Sequence, residues 1–85
     1  MIERKMSPLG AFVRCRRLEL GYTQERLAAE AGVGRALIVS LETGRARVIT
    51  WEQLKGLADG LRLVMSTLLA EQPRVWTSGR YIHLF

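Results

Sequence analysis

Apolar residues between positions 23 and 42 fall at Leu27, Ala31, Val33, Ile38 and Leu41, and predict two short helices joined by a sharp glycine turn. Thr23 is placed to cap the first of them, about residues 23–31, with Leu27, Ala28 and Ala31 on its inner face. Small Ala28 lets a neighbouring helix approach closely, and Gly32 stands where the chain must turn with positive φ. The next helix, about 35–43, buries Ile38 and Leu41, carries Leu37 at its edge and ends at Gly44. Its first turn crosses the preceding helix and points outward.

The flanking segments extend the helical pattern. Ser7 as N-cap and Pro8 at the first helical position open a helix with an apolar stripe of Leu9, Phe12, Val13 and Leu20, closed by Gly21. Arg17 and Glu42 each fall on an inner face. Either charge alone is misplaced there, but together they form a partly buried pair tying the first helix to the third. Thr50 and Gln53 have capping-box spacing, and Leu54, Leu57, Ala58 and Leu61 follow at i, i+3, i+4 and i+7. A short helix over Met65–Ala70 would turn Leu68 and Leu69 to the core. Residues 61–65 alternate well enough for a strand, although helix is the preferred reading.

Beyond Pro73 the character changes. Arg74–Thr77, a Ser78-Gly79 turn signal and Arg80–Phe85 predict a small hairpin, in which Trp76, Tyr81, Ile82 and Phe85 must pack on something. That surface is this domain, a second copy or a different protein. The division expected is a helical domain over 1–71 and an extension over 72–85.

The 85 residues bound the chain to one small domain, and 48% hydrophobic content allows a compact core. The net charge of +5 is uneven, with nine of the thirteen Lys and Arg lying in residues 1–47. A basic half suits a polyanionic partner, since each neutralised phosphate releases counterions. No membrane-length apolar run or secretion signal is visible, so the cytoplasm is the expected location. One Cys, Cys15, and one His, His83, make neither a disulfide nor a zinc site. No nucleophile–base constellation or phosphate loop is found, which argues against an enzyme, and no cofactor or metal is expected.

From Arg14 to Leu69 the sequence resembles the lambda-repressor/Cro-like helix-turn-helix family, also called the XRE family. The resemblance rests on Arg17, Gly21, Thr23, Gln24, Leu27, Ala28, Gly32, Val33, Ile38, Leu41, Glu42 and Gly44, with Leu57, Ala58 and Leu61 in the fourth helix. Gly34 departs from it where Ser or Thr usually caps the recognition helix. Val39 replaces a common Ser, and Ile49 stands near a position often held by Pro.

The resemblance implies an all-α, compact domain of four to five helices with a short C-terminal β-hairpin, binding double-stranded DNA. It places Thr23 and Gln24 at the DNA backbone or an adjacent base. Arg35, Ala36 and Ser40 would face the major groove with Leu37 and Val39 flanking, and Arg45 and Arg47 would lie on phosphates. Arg35 is the candidate for bidentate guanine readout, its alternatives being a phosphate contact or a solvated charge. Arg14 and Arg16 read as surface charge, and Trp51 and Trp76 as packing rather than stacking platforms. A homodimer on a near-palindromic operator, acting as a repressor, is expected, with Leu68, Trp76, Tyr81, Ile82 and Phe85 as dimer or partner contacts. The rival readings are an antitoxin clamping a toxin through its C-terminal segment, a restriction-modification or phage-type controller protein, and an interaction domain without DNA binding.

Overall fold

The computed structural model describes residues 8–70 and 76–84; the Ser7 cap and Phe85 lie outside the described residues. Among the described residues, five helices, α1 (Pro8–Glu19), α2 (Gln24–Ala31), α3 (Arg35–Glu42), α4 (Trp51–Gly60) and α5 (Met65–Ala70), accompany three short strands. The strands are β1 (Val48–Thr50), β2 (Trp76–Ser78) and β3 (Tyr81–His83).

Local chemistry sets the helix ends where the sequence suggests. The Thr23 hydroxyl accepts from the Arg26 amide at 3.0 Å, and Gly32 closes α2 at φ +68°. Both halves of the capping box are made at α4: Gln53 N donates to Thr50 Oγ1 at 3.1 Å, and Thr50 N donates to Gln53 Oε1 at 2.9 Å. Residues 61–64 are neither helix nor strand. Arg62 adopts φ +59°, and the Leu63 amide turns back to the Ala58 carbonyl at 2.8 Å, which ends α4 before α5 begins.

The closest helix packing is that of α2 on α4. A Cβ on Gly56 would strike the carbonyl oxygen of Ala31, and one on Gly60 would lie 3.0 Å from the Ala31 amide nitrogen. These glycines let the two backbones nearly touch, an approach no other residue permits at position 56. Ala28 and Ala31 face them from α2, both buried.

The strands form one antiparallel sheet in the order β1-β3-β2. Ile49 pairs with Ile82, and Ile82 with Thr77. Only the hairpin was expected; β1 was not. Its turn is Gly79-Arg80 rather than Ser78-Gly79, because Ser78 pairs with Tyr81 and Gly79 takes φ +60° as the first turn residue. The sheet is not a detached extension. Ile49, Ile82 and Leu84 lie in the same core as Leu9, Val13, Leu27, Ile38, Leu41, Leu54, Leu57, Leu61 and Leu68.

That burial corrects two expected partner contacts. Leu68 is 0% exposed and Ile82 1%, so neither side chain is available to a second protein. Tyr81 is exposed. The backbone of Trp76 pairs opposite His83, and its side chain, like that of Leu69, lies outside the described part of the structure.

Candidate nucleic-acid interface

Two side chains that the sequence made suspicious meet at the base of the α2–α3 unit. Arg17 donates from Nε to Glu42 Oε2 at 2.8 Å and from Nη2 to Glu42 Oε1 at 2.9 Å. Its Nη1 donates to the Tyr22 carbonyl at 2.8 Å, so one guanidinium joins α1, the α1–α2 loop and α3. Both residues are buried, and the hydrogen bonds to Glu42 push Arg17 further above its ordinary pKa against the opposing effect of burial. The planar two-pronged contact fixes the roll of α3 about its axis as well as its position.

From this anchor a chain of polar contacts runs to the surface. Gln24, at the start of α2, donates from Nε2 to Glu42 Oε1 at 3.4 Å and accepts from Arg35 Nη2 at 3.3 Å. Glu25 pairs with Arg35 Nε at 2.8 Å. The start of α2 and the first residue of α3 therefore form one cluster. Hydrogen bonding to its own backbone N–H foremost, then the Arg35 charge, holds the Glu25 carboxyl below its ordinary range despite some desolvation.

The rest of the expected interface is solvent-facing. Thr23, Arg35, Ala36, Arg45 and Arg47 are exposed, while Gln24, Leu37, Val39 and Ser40 are half-buried. No side chain caps α3 at Gly34, which leaves its first turn open. At its other end Gly44 takes φ +78°, and the Ser40 carbonyl accepts from Arg45 at 2.9 Å and Ala46 at 3.0 Å. The loop carrying Arg45 and Arg47 is thus folded back on α3. The Leu84 amide donates to the Arg47 carbonyl at 2.9 Å, so the sheet clamps the same loop from its far side.

Sequence reasoning missed two participants. Arg16 is no free surface charge: its Nε donates to the Leu61 carbonyl at 3.1 Å and ties α1 to the end of α4. Glu25, in the first turn of α2, also suits the helix dipole, and nothing in its position points to Arg35. Its partner lies ten positions away across a turn, a separation that no helical or strand period reports. Cys15 is exposed and free.

The helix-turn-helix domain model matches residues 8–72. Among solved structures, the chain is similar to the restriction-modification controller protein C.AhdI from Aeromonas hydrophila, with 26% identity and a TM-score of 0.67. That match covers 73% of this chain and 92% of that one. The wild-type controller protein C.Esp1396I matches at 28% identity and a TM-score of 0.65, covering 76% and 88%. SinR, a master regulator for biofilm formation solved in complex with DNA, matches at 28% identity and 0.67, covering 72% and 97%. Among curated protein sequences, none matches.

Proposed function

The chain belongs to the helix-turn-helix domain family, and from that premise we propose that it is a sequence-specific, double-stranded DNA-binding transcription regulator. The observation that carries this reading is the outward first turn of α3, held in a fixed roll by the buried Arg17–Glu42 pair and flanked by the start of α2. In this reading α3 enters the major groove, Arg35 grips guanine O6 and N7, and Ala36 and Val39 offer apolar contact to a thymine methyl. Thr23, Gln24, Arg45 and Arg47 lie along phosphates and set the register. Ser40 completes the groove-facing side and Leu37 flanks it.

One such module covers a few base pairs, so the reading includes a homodimer on a near-palindromic operator, repressing by occlusion. Two recognition helices about 34 Å apart reach successive major grooves on one face of the duplex. Leu68 and Ile82 are spent in the core, so the dimer would use what α5 and the sheet leave outside. Among the described residues, Val64, just before α5, and Val48 and Tyr81 on the sheet are the large apolar side chains exposed there. A controller of a restriction-modification system is the second reading, favoured by similarity to two such proteins; it uses the same chemistry in a different genetic setting.

Selection of bound duplexes from a random pool at near-physiological salt tests the proposal. The expected product is an inverted repeat with half-sites about one helical turn apart. Arg35→Ala should then lose preference at one base position per half-site. Binding without enrichment, fading steeply with salt, would reduce the interface to phosphate contacts.

A further inference from the structure

Arg35 is not a loose surface cation. Its Nε faces Glu25 at 2.8 Å, and Nη2 donates to Gln24 at 3.3 Å. Gln24 in turn is tied to Glu42, and Glu42 to buried Arg17. The side chains of Arg35 and Glu25 are 56% and 65% exposed, so their pairing adds little to folding. What it fixes is the direction and the net charge of the residue at the mouth of the recognition helix.

Resting on the DNA-reading proposal above, we infer that Glu25 is a specificity-determining residue that positions Arg35 for a base and denies it to phosphates. A guanidinium has five N–H groups. With Nε held by Glu25 and one Nη2 hydrogen by Gln24, the Nη1 pair and the other Nη2 hydrogen remain. One Nη1 hydrogen and the free Nη2 hydrogen form the end-on edge that spans guanine O6 and N7. The guanine edge is neutral and binds with Glu25 still in place. A phosphate at the same edge meets a carboxylate a few ångströms behind the cation, and the Arg35–Glu25 unit offers it no net charge. Glu25 is held ionised by its own backbone N–H and by Arg35, so the screen persists at neutral pH. The pair therefore lowers affinity for duplex in general and keeps it for duplex with guanine in register.

The test compares the wild-type chain, Glu25→Gln, Arg35→Ala and the double variant. Each is titrated with the selected operator, with the same duplex bearing a different base pair at the position read by Arg35, and with random duplex, over a range of salt. Glu25→Gln keeps the shape and removes the charge. It should tighten binding to random duplex and steepen the salt dependence by about one phosphate contact. It should also cut discrimination at the Arg35 position about tenfold. In the Arg35→Ala background the same change should leave discrimination unaltered. Equal effects of Glu25→Gln on all duplexes, with discrimination retained, overturn the inference. A loss of discrimination that persists without Arg35 also overturns it, since Glu25 would then read a base itself. A wild-type chain with no preference among duplexes overturns the DNA-reading proposal first, and this inference with it.

Discussion

The Arg17 guanidinium satisfies both oxygens of Glu42 and the Tyr22 carbonyl in a buried setting. Arg17→Ala leaves a buried carboxylate without its cation and should cost about 3–5 kcal/mol in urea unfolding. Replacing both members by apolar residues of similar volume should recover much of that loss. Arg26→Ala, which breaks the exposed Arg26–Glu30 pair, should cost less than about 1 kcal/mol. A second prediction concerns Glu25, whose carboxyl lies below the ordinary glutamate value of 4.5. A depressed folded-state pKa means that its contribution is present above the unfolded-state value and fades as pH falls through the folded one. A carboxyl-carbon NMR titration should find its midpoint below 4.5 in the wild type. Arg35→Ala should raise that midpoint only partway, because the backbone hydrogen bond is the larger cause. The Arg17–Glu42 pair was legible in the sequence because two charges on inner faces demand each other. The Glu25–Arg35 pair was not, because two exposed charges satisfy any pattern.

Among the elements, α2 and α4 lie closest, and Gly56 makes that possible. Gly56→Ala gains about 1 kcal/mol of helix propensity. It also forces a methyl against the Ala31 carbonyl oxygen, a backbone atom that cannot rotate away. Overpacking of this kind costs about 1–3 kcal/mol or more, so a net loss of stability is expected on thermal unfolding. Gly34→Ser has open space around it and an extended φ of −75°. It should supply the missing cap of α3 and stabilise by a few tenths of a kcal/mol. Helix limits were legible because caps, glycine turns and apolar spacing are local. The α2–α4 contact was not, because a glycine inside a helix gives no sign of which backbone it faces. The short strand β1 was invisible for a related reason: three residues make a strand only when β3 lies beside them.

On the scale of the whole molecule, the sheet decides how the recognition unit is held. β3 pairs with β1, Ile82 enters the core, and the Leu84 amide fastens the Arg47 loop. Ile82→Ala should therefore cost about 2–5 kcal/mol in denaturant unfolding. That outcome separates a hairpin built into this domain from one reserved for a partner, since removing a partner contact would leave the isolated chain's stability unchanged. The sequence alone determined the helix order, the turn into α3, the buried ion pair, the basic half and the kinship with helix-turn-helix proteins. Each is written in local spacing or in residue types that tolerate only one environment. Tertiary structure alone decided which apolar side chains of the C-terminal segment are core, that β1 exists, and that Glu25 holds Arg35. Those outcomes turn on which distant backbones come together, and pairing across a fold leaves no period in the chain.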